Sequence, residues 1–268
     1  MKKILTSVFL MLLFSSAVFS QIDDIKKKSD DNKKNGNHSG NENTGGSPGD
    51  PCVSQCAGSA FELVFDVAVQ SLAKYNNYLL ENSKDPEIIS LEALPQLGYG
   101  IHFSNDQQNV YKYYDILPRL RGNLGAFSME ARLDYLFEAN DSTYFNSFPV
   151  WNYWIGINII PKDLFRLTIG QGIMYESNSQ QAFHETYVGA DIPIKNRLFV
   201  ISPEVRFAYD YQNGIFPYIE SGVRGSYRFL DVKRFSAYFT AGAAWRNYYQ
   251  SHEVALVYGG LTLCLHKK

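Results

Sequence analysis

Few residues in this chain of 268 have the types and spacing that chemistry needs. His102 stands two residues before Ser104. On a strand that spacing puts both side chains on one face, where an imidazole serves as base to a serine nucleophile. Glu130 with Asp134, and Glu204 with Asp210, are the near-paired acids that acid–base catalysis uses. His184-Glu185 and His252-Glu253 offer metal-ligand atoms, but neither pair has a cysteine or a second histidine nearby in the sequence. His38 lies in a polar run and reads as solvated. Cys52 and Cys56, four apart, are the candidate disulfide of an oxidising compartment. Adjacent turns of a regular helix aim the two sulfurs poorly, so that bridge needs an irregular turn. Cys264 reads as a small packing residue, and no cofactor or metal is expected.

The elements around these groups follow from composition and periodicity. Met1 to Ser20 has a Lys2-Lys3 start, an apolar core and Ala17-Val18-Phe19-Ser20 at its end, the pattern of a cleaved secretory signal. Its loss takes the formal net charge from −2 to −4 by removing two lysines, leaving no basic excess for nucleic acid. Residues 21–51 are mostly Asp, Lys, Asn, Gly and Ser and read as a disordered tether. Asn37-His38-Ser39 and Asn140-Asp141-Ser142 match the glycosylation pattern, a short string that recurs by chance. Residues 52–88 form a helical segment. From Cys52 to about Leu80, Gln55, Ser59, Glu62, Asp66, Gln70 and Lys74 make one polar stripe on an apolar helix that should bury most of itself, against protein or at a membrane interface. Asp85-Pro86 closes it.

From about Leu94 the period changes from 3.6 to 2. In Phe127 to Glu138, Phe127, Met129, Ala131, Leu133, Tyr135 and Phe137 alternate with Ser128, Glu130, Arg132, Asp134, Leu136 and Glu138. Similar runs give about ten strands, with eight as the alternative count, over 89–268. All ten arginines lie between Arg119 and Arg246. Arg119, Arg121, Arg132, Arg166, Arg206, Arg224, Arg228 and Arg246 take the polar face, whereas Lys162, Lys195 and Lys233 sit in turns. Arginine is the cation of enclosed, multiply bonded pairing with carboxylates. Glu130, Asp134, Glu204, Asp210 and Glu220, with Glu185 and Asp191, supply the partners. Glycines on the same face leave room inside, and aromatic residues gather at both strand ends, as at two membrane interfaces. The polar face is therefore expected inside and the apolar face against lipid: an all-β, antiparallel transmembrane β-barrel preceded by one amphipathic helix. Pro118, Pro193, Pro203 and Pro217 fall within its strands and should mark bulges or strand ends.

The signal, tether, helix and alternating strands resemble small outer-membrane β-barrel proteins of Gram-negative bacteria. Leu117-Pro118-Arg119-Leu120-Arg121-Gly122-Asn123-Leu124-Gly125-Ala126-Phe127-Ser128 resembles a segment of such barrels in the Bacteroidota. The resemblance implies an outer-membrane location with periplasmic termini, contact with outer-membrane lipids, and handling by the barrel-assembly machinery. It implies no activity or ligand. The chain ends Leu265-His266-Lys267-Lys268 rather than in the aromatic residue common in such barrels. Gly100-Ile101-His102-Phe103-Ser104-Asn105 also resembles the His-x-Ser-Asn string of outer-membrane lipid A deacylases. Here, however, Ile101 and Phe103 take the lipid-facing phase, which points His102 and Ser104 inward. Omptin proteases, another ten-stranded family, use Asp-x-Asp and Asp-x-His pairs that this barrel lacks. The expectation is a non-enzymatic barrel with a filled, charge-networked lumen; a lipid hydrolase and a narrow or gated channel are the alternatives.

Overall fold

The computed structural model describes residues 26–28, 30–31, 69–103, 110–138, 146–160 and 165–267. The signal segment, Cys52, Cys56, Ser104, Asn140 and the helix before residue 69 lie outside the described residues, as does most of the tether, within which 26–28 and 30–31 are helical.

Ten barrel strands close antiparallel on themselves. Strand β1 has two halves, Ile89–Leu94 and Gln96–Phe103, separated at Pro95; β2 likewise comprises Val110–Ile116 and Arg119–Leu124, separated at Leu117-Pro118. The others are β3 (Phe127–Glu138), β4 (Asn146–Ile159), β5 (Arg166–Glu176), β6 (Gln181–Ile194), β7 (Phe199–Asp210), β8 (Ile215–Val232), β9 (Phe235–Tyr248) and β10 (His252–His266). Each pairs with its sequence neighbour. Both halves of β1 pair with β10, Ser90 opposite His266 and Ile101 opposite Ala255, which joins the first strand to the last and leaves no edge. The first strand thus begins at Ile89, five residues before the alternation becomes visible.

The prolines behave as their missing donors require. Pro95 and Pro118 sit at the two strand breaks, which lie side by side: Leu117 N donates to Gln96 O at 2.9 Å and Leu133 N to Pro118 O at 3.1 Å. Pro217 lies in the register shift between Ile215 and Tyr218. The β6–β7 ladder stops at Gly189 opposite Glu204 and resumes at Ile192 opposite Ile201, leaving Pro203 in the gap. Pro193 pairs with Val200 within that ladder and needs no bulge.

The outer wall carries Leu97, Met129, Trp151, Ile155, Ile173 and Val257, all exposed, while the alternate residues are buried inside. Chain entry and exit share one end, the terminal rim. Toward the other end, the distal rim, the inner face carries an apolar layer of Tyr113, Leu136, Phe148, Val150, Met174, Phe183, Tyr218, Tyr248 and Val254. Periodicity assigned that end of the inner face no such character.

Helix α1, residues 69–82, lies across the terminal rim. It docks by a narrow stripe at spacings of three and four: Leu72, Tyr75 and Leu79 pack with Ile88, Ala126 and Ile160. Tyr75 OH accepts from Ile160 N at 3.0 Å and Asn76 Oδ1 from Ala126 N at 2.8 Å. Within the described helix Leu79 is the one buried residue, and Val69 and Tyr78 are exposed; the apolar run Phe61 to Val67 lies outside the described residues. Gly125 explains the close approach. It opens the two-residue β2–β3 turn with φ +61°, and a Cβ there would lie 2.3 Å from Asn76 Oδ1.

Candidate functional site

The inner face of the barrel is an ionic layer beneath the apolar layer of the distal rim. Strand alternation alone aims its residues inward, and cross-strand register sets them level: Glu220 faces Arg206 on β7 and Arg246 on β9, and Arg121 faces Glu130.

Glu220 is the hub. Arg132 donates both Nη groups to it at 2.7 and 2.6 Å, Arg246 donates Nε at 2.6 Å, and the Tyr218 hydroxyl donates at 2.5 Å. Arg132 Nε also reaches Asp134 at 2.5 Å, and Arg246 Nη1 donates to Asp115. A second group forms around Glu130, which accepts from Arg121 Nε at 2.9 Å and from Arg206 Nη2. Arg119 makes a two-pronged pair with Glu204 at 2.7 and 2.9 Å. Glu185 lies 3.6 Å from Arg206 Nη1 and is fully buried. Trp154, which the alternation left unassigned, faces inward and stacks on Tyr187 at 4.4 Å, while the Arg206 guanidinium covers the other ring at 4.8 Å. The space for Trp154 comes from Gly170 and Gly172; a Cβ on Gly172 would meet Tyr153 O at 2.0 Å. Such bidentate, enclosed pairing is what arginine does and lysine does not. Among the described residues no lysine is buried.

Below this layer, toward the terminal rim, the segment before β1 enters the lumen. Asp85 caps the short helical turn Pro86–Ile88 by accepting from Glu87 N at 2.9 Å. Asp85 takes Arg166 Nη2 at 2.9 Å and Arg197 Nη1 at 3.0 Å, while Glu87 accepts from Arg197 Nη2 and from the Tyr238 hydroxyl at 2.5 Å. Burial alone would raise the Asp85 carboxyl. Arg166 and Arg197 beside it, with the Glu87 amide, instead hold it below the usual carboxylate range. Burial likewise would lower Arg197, and Glu87 and Asp85 hold it above its ordinary value. This ion-paired latch ties the helix end to the barrel.

Of the residues singled out by sequence, the interior brings together Arg119, Arg121, Glu130, Arg132, Asp134, Arg206, Glu204, Glu220 and Arg246. Arg166 belongs to the latch, and Arg224 lies 4.0 Å from Asp191 in the lower lumen. Two placements need correcting. Arg228 keeps the inward parity but stands at the terminal-rim end of β8, where it pairs with Asp231 and donates to Asn196 O instead of joining the lumen network. Asp210 ends β7 and accepts from Gln212 N and Asn213 N, so it caps a distal turn. The alternation did not point to Asp85, Glu87, Asp115 or Arg197.

His102 is buried and its Nδ1 donates to Glu253 O; Ser104 lies outside the described residues. His252 does have a histidine beside it, since its ring stacks with His102 at 6.4 Å, which the sequence separation concealed. His184 meets the Tyr211 hydroxyl at 3.2 Å. Glu87, Glu92 and Cys264 bring ligand-type atoms within 4.8 Å of one another. Glu87 is already bonded to Arg197 and Tyr238, and Glu92 Oε1 accepts from Asn123 at 2.9 Å, so the cluster is a hydrogen-bonded knot.

No protein-family model matches the chain, and no curated protein sequence does. Among solved structures, the chain is similar to the translocator domain of the autotransporter NalP from Neisseria meningitidis, at 10% identity and a TM-score of 0.31, covering 76% of this chain and 97% of that one. It is also similar to the CymD monoaromatic hydrocarbon channel (10% identity, TM-score 0.32, 63% and 56% covered). A third likeness is to an anion-selective porin from Comamonas acidovorans (9%, 0.30, 58% and 55%). The chain thus spans just over half the length of the last two.

Proposed function

We propose that the protein is a non-enzymatic integral barrel of the bacterial outer membrane, of the Bacteroidota type, with a lumen closed to general solutes. The observation that carries this reading is the inverted distribution of polarity: exposed aliphatic and aromatic side chains outside, and buried guanidinium–carboxylate pairs inside. An outer surface of that kind is stable only against lipid. Exposed Phe127, Phe165, Phe199 and Phe229 toward one rim, and Tyr135, Trp151, Tyr175 and Trp245 toward the other, fit the two interfaces. The apolar layer and the ionic layer support a closed state over a conducting one. With both barrel ends at one rim, a secreted chain that inserts from the periplasm leaves that rim on the periplasmic side.

The protein should fractionate with the outer membrane, run faster on a gel before boiling than after, and add no conductance to a planar bilayer. Recovery as a soluble periplasmic protein would overturn the reading. Stepwise conductance would replace the closed barrel with a narrow channel. Ser104→Ala should leave lipid A acylation unchanged.

A further inference from the structure

The two ends of the ionic interior are neutralised differently. In the Glu220 hub, guanidinium groups meet carboxylates at 2.5 to 2.7 Å. Near the terminal rim the pairs are longer: Asp191 lies 3.5, 4.0 and 4.0 Å from Arg121, Arg166 and Arg224, while Asp85 and Glu87 engage the remaining arms of Arg166 and Arg197. Donors there are left over, as are Arg119 Nε and Arg206 Nε and Nη1 deeper in the lumen. Arg166 has a side chain only 2% exposed, and its Nε and Nη1 have no hydrogen-bond partner; neither do Arg197 Nε and Arg224 Nη1. Buried N–H groups of a cation left without acceptors are costly.

Arg166 and Arg197 border one cavity. It measures about 500 Å³, opens at the terminal rim, and is lined by Arg166, Arg197, Arg228 and Lys84 together with apolar Ile160, Phe165 and Pro193. A smaller space of about 30 Å³, lined by Arg224 with Glu87 and Glu92, continues inward and shares Arg197 and Asp191 with it. Asp85 also lines the cavity, but its two oxygens are engaged by Arg166 Nη2 and Arg197 Nη1. Two of the guanidinium groups lining the pocket thus keep N–H donors without a partner, and such donors suit an acceptor-only oxyanion with several oxygens. Its apolar lip sits beside exposed Phe165 on the outer wall, so an acyl chain could leave it along the barrel.

We propose that this cavity binds a phosphate group, held by Arg166 and Arg197 from within and by Arg228 at the mouth. The phosphate is either a soluble anion or the headgroup of an anionic lipid. The site does not depend on the lumen being closed. Full-length protein folded in octyl glucoside would be titrated calorimetrically with inorganic phosphate, and in parallel with mixed micelles containing phosphatidylglycerol. Saturable binding is expected. Arg228→Gln, whose side chain lies outside the buried network, should weaken it about tenfold, the loss of roughly one charge-assisted bond. Arg166→Gln should abolish binding, and Lys267→Gln, an exposed cation elsewhere on the same rim, should leave it unchanged. Tighter binding of phosphatidylglycerol assigns a lipid headgroup, and equal or tighter binding of inorganic phosphate assigns the soluble anion. Absence of saturable binding by both probes overturns the proposal, as does binding that Arg228→Gln leaves intact. Should Arg166→Gln not fold, Arg228→Gln still decides.

Discussion

Glu220→Ala removes the acceptor on which the middle of the lumen converges. Glu220 takes four hydrogen bonds, three of them from guanidinium groups, and the Arg132 and Arg246 side chains are 0% and 1% exposed, so water cannot substitute freely. The cost is less than four full charge-assisted bonds, because Arg132 keeps Asp134 and Arg246 keeps Asp115. What remains is one buried positive charge too many, for which the expected penalty is about 3–5 kcal/mol. With a urea slope of about 2 kcal/mol per molar, the unfolding midpoint falls by about 1.5–2.5 M. Urea titration in micelles, followed by tryptophan fluorescence and by the unheated gel band, measures it. Replacing Arg132 and Glu220 together by leucine should recover most of the loss, since a buried pair exchanged for packed apolar groups is close to neutral. A Glu220→Ala shift below about 0.3 M would refute the reasoning, because it would mean the interior is solvated well enough to dissipate an unpaired charge.

Two further perturbations address the helix and its latch. Gly125→Ala combines a left-handed φ with a contact at 2.3 Å to Asn76 Oδ1, and should cost about 1–3 kcal/mol at the docking contact. The readout is faster proteolysis within residues 69–82 while the barrel keeps its unheated gel mobility. Asp85→Asn should loosen the latch at neutral pH. The Asp85 carboxyl in the folded protein lies below its ordinary value of 3.8, so its stabilising contribution is fully present above that value and is lost as pH falls through the folded one. Arg166 and Arg197 pair with it, the Glu87 amide donates to it, and Lys84 and Asp191 line the same cavity. Hydrogen exchange of residues 83–90, corrected for intrinsic rates, should therefore stay slow down to about pH 4 in the parent and be faster, without that acid-dependent step, in the variant.

Period-two alternation made most of the barrel and its arginine-bearing face legible, because a two-sided sheet must show one chemistry to each solvent. Where the alternation stops, the reading stopped as well. Arg197 lies in a turn whose residues Lys195, Asn196 and Arg197 all have positive φ, and that backbone, not strand parity, carries its side chain to Asp85 and Glu87. Asp85 and Glu87 precede the first strand and belong to no periodic run. Asp115 was hidden by the break at Leu117-Pro118, which cuts β2 in two. Arg228 keeps the inward parity of Arg224 and Ser226 but stands at the terminal-rim end of β8, where its side chain meets Asp231 and the Asn196 carbonyl rather than the lumen network, and parity alone does not report depth. The apolar layer was missed for another reason. Phe148, Val150 and Met174 look like lapses in a polar face until cross-strand register puts Phe148 opposite Leu136 and shows that they form a level.

The separation of the two basic residue types gives the molecule a built-in report on its own integrity. Arg119, Arg121, Arg132, Arg166, Arg197, Arg206, Arg224 and Arg246 are buried in the described structure, while Lys74, Lys84, Lys195, Lys233 and Lys267 are exposed. Trypsin cleaves after both types, but only an unfolded wall delivers those arginines to a protease. A tryptic digest of the intact barrel should thus be confined to lysines, Arg234 and Arg228, and new peptides ending at the interior arginines would mark the moment the wall opens. Amine-directed labels or surface tethers would in turn decorate the rims and leave the chemistry of the lumen untouched.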